Sequence, residues 1–196
     1  MRDYYRNFDR IAWDVDVSRL RHQIIRNWKL WNQNDFRTEY PNTPHVDVDD
    51  IWLRFSAKEN LVTTTRVIGD DKPVFYPAWD ILSEAKPLVK GIMAATGAYE
   101  LGRVLISRIP PGGQILPHRD NDGEYVHQDD IARYHLVIQG SPGNLYRCGE
   151  PEVPGDAEEV HMLTGELWWF SALKLHSVIN ASEDDRIHMM VDVRTC

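Results

Sequence analysis

The run Pro117-His118-Arg119-Asp120 sets an imidazole and a carboxylate two residues apart. In a strand or at its end, residues i and i+2 face the same way. His118 and Asp120 can therefore offer one nitrogen and one oxygen to a single cation. His176 follows the aromatic run Gly165-Glu166-Leu167-Trp168-Trp169-Phe170 across a short turn and is the candidate third ligand. Two imidazoles and a carboxylate suit a divalent first-row metal, and on one face of the ion they leave three positions open. An isolated His-x-Asp pair is commonly a surface-loop pair, and an isolated histidine at a strand end is commonly just hydrogen-bonded. The conjunction of the three in one strand-rich half points to a metal.

A facial triad with open positions is the ligand set of non-haem Fe(II) oxygenases, where a co-substrate and dioxygen enter. 2-Oxoglutarate is such a co-substrate. It chelates through its keto and C1-carboxylate oxygens, and its distant C5-carboxylate then needs a buried cation. The anion-binding candidates are Arg186, Arg133, His135 and Ser107. Arg186 lies ten residues beyond His176, where the next strand is expected, and its planar fork matches a carboxylate. A surface salt bridge with Asp184 or Asp185 is the competing reading. Ligand type does not separate iron from zinc or manganese. His127 falls in a loop and stays outside the ligand set. His188 shares the face of Arg186 and is read as packing behind the site. Arg54 and residues 121–128 are candidate substrate contacts, and Trp168 to Phe170 form either a dry wall or plain core.

These groups need elements to hold them. From Arg103 onward, strand-like runs recur at Val104–Ile109, Arg133–Ile138, Asn144–Arg147, Glu158–Met162, Leu167–Phe170, Leu175–Ile179 and Arg186–Val193, parted by Gly and Pro. Many short strands with regular turn signals predict a sandwich or barrel. The expectation is a single domain, mainly β with an α-helical N-terminal layer. Residues 100–196 form a jelly-roll catalytic core, and residues 1–99 are helical support and pocket wall. Leu20, Ile24, Trp28 and Trp31 predict a helix over Val17–Trp31, capped near Ser18. Pro77–Ala95 reads as helix, interrupted or restarted at Pro87 and stopped near Gly97. Residues 35–48 read as loop, and Ile51–Phe55 as a short strand.

The 196 residues carry 22 Lys and Arg against 30 Asp and Glu, a formal charge of -8. That balance disfavours a protein that binds long nucleic acid by neutralising phosphates. The N-terminal run has no apolar stretch of a signal peptide, and no segment has the roughly 18 consecutive apolar residues of a spanning helix. A cytoplasmic protein without a membrane partner is expected. Cys148 and Cys196 form neither a zinc spacing nor a CxxC pair, and reduced thiols are the preferred reading.

Four ordered segments resemble the aspartyl/asparaginyl β-hydroxylase family. Ser107 to His118 is similar to its SxxxPGxxxxPH stretch, Arg133-Tyr134-His135-Leu136 to its RxHL, Gly165 to Phe170 to its glycine-aromatic segment, and His176 with Arg186 to its distal histidine and arginine. The resemblance covers roughly residues 100–194. It implies a double-stranded β-helix (a cupin-like jelly roll) binding Fe(II) and 2-oxoglutarate. By the same resemblance His118 and His176 are iron ligands, Arg186 binds the C5-carboxylate, and Ser107, Arg133 and His135 line the co-substrate site. Animal members often have glycine where Asp120 stands; some bacterial members, free-proline hydroxylases among them, keep the carboxylate. Residues 121–131 lengthen the loop after the first histidine and are a candidate lid. The expected activity is hydroxylation of an unactivated C–H bond of an amino acid, peptide or protein side chain. A nucleotide or other small metabolite as substrate, and a non-catalytic cupin-like binding protein, are the alternatives.

Overall fold

The computed structural model describes residues 5–39, 42–63, 66–67, 73–120 and 131–195. The first half contains β1 (Phe8–Ala12), α1 (Ser18–Arg26), β2 (Asp49–Phe55), β3 (Leu61–Thr63), β4 (Arg66–Val67), β5 (Val74–Phe75), α2 (Ala78–Ile81) and α3 (Ala85–Thr96). The second half is all strand: β6 (Glu100–Ile109), β7 (Gln114–His118), β8 (Ile131–Gln139), β9 (Asn144–Cys148), β10 (Glu158–His161), β11 (Leu167–Phe170), β12 (His176–Asn180) and β13 (Arg186–Arg194). A seven-stranded sheet runs β1-β11-β8-β13-β6-β2-β5, and a four-stranded sheet runs β10-β9-β12-β7. All their pairings are antiparallel. This is the expected jelly roll.

Alternation along β13 sorts the larger sheet into two faces. Ile187, Met189, Val191 and Val193 join Ile106, Leu136 and Ile138 in a core beneath Leu20 and Ile24 of α1 and Val89 and Ile92 of α3. Leu20 and Ile24 sit four apart, one helical turn, which is why α1 lies on that face. The opposite parity turns Arg186, His188, Met190 and Asp192 toward the smaller sheet. Register carries this inner face across neighbours: His188 lies opposite Ser107 and Val137, Met190 opposite His135, and Asp192 opposite Arg133. Ile109, Val137, Trp168 and Phe170 of the larger sheet pack there against Tyr146, Cys148, Val160 and Val178 of the smaller one.

Four expectations need correction. The first hundred residues are more than helical support, because β1, β2 and β5 extend the larger sheet at both edges. The helix over Val17–Trp31 ends at Arg26, where Asn27 turns back to bond the carbonyl of Gln23, and Trp28–Leu30 is a separate 3-10 turn. Ser18 is not its cap; the Asp16 carboxylate accepts from the Ser18 N–H and hydroxyl instead. The break in the second helical segment falls at residues 82–84, and Pro87 sits in the first turn of α3, where a missing N–H loses no bond. Gly97 does end α3, in the left-handed conformation at φ 66°.

Cys148 is buried and free; Cys196 lies outside the described residues. No helix among the described residues is long and apolar enough to cross a membrane.

Candidate metal centre and co-substrate chamber

β7 is an edge strand, where Pro117 is tolerated because one side of the strand needs no ladder bond. It pairs with β12 so that His118 lies directly opposite His176, their ring centroids 4.3 Å apart. Each imidazole has its Nδ1 beside the carbonyl two residues back: His118 at 2.8 Å from Leu116 O, His176 at 2.9 Å from Lys174 O. A carbonyl only accepts, so both rings carry the proton on Nδ1 and aim a bare Nε2 lone pair away. Both Nε2 atoms stand 3.6 Å from the same Asp120 oxygen, Oδ1. Asp120 is held just past the strand end by its own N–H, which donates to Ala172 O at 3.2 Å. All three ligand atoms lie within 4.8 Å of one another. The three residues that sequence spacing singled out therefore converge.

Charge fits the same use. Burial alone would raise the Asp120 carboxyl, but the Arg133 guanidinium beside it, the largest opposing influence, keeps it well below the usual range. Burial pushes the His176 imidazole down to about 4, so it is a neutral ligand near pH 7. An anionic oxygen and two imidazole nitrogens, oriented before any ion arrives, are a donor set for a divalent metal with positions to spare.

Arg133 stands beside this triad. One nitrogen, Nη1, donates to Asp120 Oδ2, leaving Oδ1 for an ion. Nε and Nη2 donate to Asp192 at 2.7 and 2.9 Å. Asp192 is therefore a site residue that sequence reasoning missed; its parity with Arg186 was the available signal. Removing this brace should matter. Arg133→Met is expected to weaken Mn(II) binding about 10–100-fold, the usual range for partners of metal ligands; calorimetric titration against wild type measures it.

Arg186 is 2% exposed. The salt bridge with its neighbours does not form: Asp185 pairs with Arg108 at 3.0 Å, and Asp184 accepts from Ser141. Arg186 has no carboxylate partner among the described residues. Its guanidinium lies over the Tyr146 ring, 5.7 Å from the centroid, and donates from Nη2 to His188 Nδ1 at 3.0 Å. Burial lowers it to about 10, because nothing anionic offsets the lost hydration. Burial comes first in holding the His135 imidazole neutral, and Arg186 and Arg133 both add to it. Its Nε2 is buried without a hydrogen-bond partner among the described residues. Phe170 and Tyr146 pack against each other beside it, Phe170 edge-on to His176 at 5.1 Å. Trp168 and Phe170 are core on the inner face; Trp169 packs on the helical side.

Ser107 faces inward as expected, but its hydroxyl donates to Asp50, which also takes a two-pronged ion pair from Arg37. Arg37 and His45 come from the 35–48 loop and carried no sequence signal. His45 packs edge-on to His118 at 5.0 Å. A cavity of about 110 Å³ opens beside Asp120 and Arg133, walled by Phe55, Leu105 and Met190 and by Arg37, His45 and Arg103. Arg54 is not part of it; its guanidinium bonds the carbonyls of Leu101 and Gly102. The candidate lid, His127 and contacts 121–128 lie outside the described residues, save for Ile131 at the start of β8.

Residues 80–195 match the family described as aspartyl/asparaginyl beta-hydroxylase. An L-proline cis-4-hydroxylase of Rhizobium meliloti (strain 1021) is 32% identical over 88 residues, 44% of this chain and 28% of that protein. An L-proline cis-3-hydroxylase of a Streptomyces species is 30% identical over 79 residues, 40% of this chain and 25% of that protein. The matched stretch thus spans about a quarter of each relative. Among solved structures, a Pseudomonas putida prolyl-4-hydroxylase superposes with a TM-score of 0.53 at 15% identity, covering 97% of this chain and 93% of that one. The non-haem alpha ketoglutarate dependent epimerase SnoN from nogalamycin biosynthesis gives 0.61 at 9%, covering 96% and 78%. At such identities these two likenesses establish the fold.

Proposed function

The chain belongs to the aspartyl/asparaginyl β-hydroxylase family, and we propose that it is an Fe(II)- and 2-oxoglutarate-dependent dioxygenase that hydroxylates an unactivated C–H bond of a free amino acid. The observation that carries this reading is Arg186: a buried guanidinium without a carboxylate partner among the described residues, over a Tyr146 ring that also stacks beside His176 of the convergent His-Asp-His triad. A buried lone charge is costly. A dicarboxylate reaching from the triad to Arg186 relieves that cost.

His118 Nε2, His176 Nε2 and Asp120 Oδ1 would hold the ion, and Arg133 keeps Asp120 to that one oxygen. Fe(II) there would supply the oxidising chemistry in which dioxygen converts 2-oxoglutarate to succinate and carbon dioxide and leaves one oxygen atom on the substrate carbon. Arg186 binds the far carboxylate, His135 lies along the co-substrate, and the Tyr146 and Phe170 rings exclude water. Substrate enters the cavity beside Asp120. At about 110 Å³ it is somewhat smaller than a cavity of about 150 Å³ that admits benzene, which suits an amino acid with a compact apolar side chain. Phe55, Leu105 and Met190 take the hydrocarbon part, and polar ends of the substrate meet the side lined by Arg37, His45 and Arg103.

The test incubates the chain with Fe(II), 2-oxoglutarate and ascorbate over free amino acids, L-proline included, and over their amides and short peptides. Succinate release and a mass gain of one oxygen are expected with a free amino acid and weak or absent with its amide. Absence of succinate above the enzyme-free control across the panel would sink the activity. Oxygen gain in peptides alone would overturn the substrate class.

A further inference from the structure

The inner face holds a buried group that the reading above leaves unused. His188 is wholly buried, next but one to Arg186 on β13. A guanidinium has no lone pair, so the 3.0 Å contact between Arg186 Nη2 and His188 Nδ1 makes the imidazole nitrogen the acceptor. The proton of His188 then sits on Nε2. His135 Nδ1 approaches the same atom at 3.4 Å, and only a protonated His135 Nδ1 faces it without opposing lone pairs. His188 Nε2 and His135 Nε2 have no hydrogen-bond partner among the described residues. As packing, a neutral imidazole with an unsatisfied buried nitrogen is worse than leucine. Its use lies in the acceptor it presents to Arg186.

Resting on the 2-oxoglutarate reading, we propose that His188 is a positioning residue: its Nδ1 occupies Arg186 Nη2, fixes the plane of the guanidinium, and so leaves one defined edge for the far carboxylate. An arginine on a flexible stem otherwise samples many rotamers, and a carboxylate at a fixed distance from the metal meets only one of them. Aim therefore becomes chain-length selectivity. With Arg186 held, a five-carbon dicarboxylate fits and the six-carbon 2-oxoadipate overshoots; with Arg186 loose, the two are discriminated less. Burial first, then the adjacent Arg186 charge, keeps His188 uncharged, which preserves the acceptor.

The test loads the protein with Mn(II), a redox-silent stand-in, and titrates 2-oxoglutarate and 2-oxoadipate by calorimetry in wild type, His188→Leu, His188→Asn and His188→Gln. Hydrogen bonds to charged groups predict about 10–100-fold weaker 2-oxoglutarate binding in His188→Leu, with a smaller loss for 2-oxoadipate. His188→Asn, whose Oδ1 stands near the position of Nδ1, is expected to restore most of the affinity, and His188→Gln to restore little. In iron-loaded turnover the effect falls on the KM for 2-oxoglutarate rather than on kcat. Wild-type affinity in His188→Leu overturns the proposal. So does equal weakening in the Asn and Gln variants, a comparison that survives if the Leu variant fails to fold. Should wild type bind neither dicarboxylate, the co-substrate reading itself falls. Should Arg186→Met abolish binding while His188→Leu does not, only the positioning role falls.

Discussion

His176→Ala is expected to lower Mn(II) affinity and iron-dependent succinate formation by more than about a hundredfold. Partners behind a metal ligand already account for 10–100-fold, so loss of the ligand itself exceeds that range. His176 is 4% exposed, and its ring is pinned by the Lys174 carbonyl and packed against His118 and Phe170. Among the described residues His45 is a further imidazole beside the triad, but it sits edge-on to His118 and is outside the convergent set. A fold defect would also lower activity, so stability supplies the control. Metal that binds only the folded state raises the melting temperature with concentration. Wild type should show that rise and His176→Ala should not, while both melt cooperatively without metal. Unchanged turnover, or an undiminished thermal response to Mn(II), contradicts the ligand assignment. His118→Ala is expected to behave alike, since the two rings stand symmetrically 3.6 Å from Asp120 Oδ1.

How much of this was legible beforehand depended on whether a position's direction is set locally. Strand alternation is local. It placed His118 and Asp120 on one face, and it put Arg186 and His188 on one face of β13. The close-spaced runs of the second half became β6 and β8 to β13 with small shifts at their ends. What the chain does over long separations was not legible. β1 joins β11 and β2 joins β6 across intervals that no periodicity encodes, and β1 shows only Phe8 fully inward. The same holds for side chains. Arg133 fits an anion-binding pattern, yet its actual carboxylates, Asp120 and Asp192, lie 13 and 59 residues away. Arg37 and His45 reach the side of the triad from a loop shaped by its own hydrogen bonds, such as Thr43 Oγ1 to Arg37 O. Types and spacing named the three side chains that converge; the groups that brace them and wall the cavity beside them required the tertiary register.

Replacing Arg186 by methionine should produce two effects of opposite sign. Binding of 2-oxoglutarate to the Mn(II) protein is expected to fall by at least about a hundredfold, since a buried charged pair partner is removed and the carboxylate would enter an apolar hole. Stability without ligand should rise. The displacement of Arg186 from 12.5 to about 10 corresponds to a burial cost of roughly 3 kcal/mol. The lost bond to His188 and the lost contact with Tyr146 offset part of it, leaving a net gain of about 1–2 kcal/mol by urea denaturation. The pH dependence has a definite sign. A cation whose folded-state value is depressed carries its full cost while both states are charged, which includes neutral pH. Because burial depresses the folded-state value and not the unfolded one, rising pH can only shrink that cost. The advantage of Arg186→Met over wild type is therefore fully present at neutral pH and does not grow toward alkaline pH. An arginine with a hidden carboxylate partner behaves oppositely: breaking such a pair lowers stability by about 3–5 kcal/mol. A fall of that size in Arg186→Met, with 2-oxoglutarate binding intact, would make Arg186 a structural residue and remove the observation on which the co-substrate assignment rests.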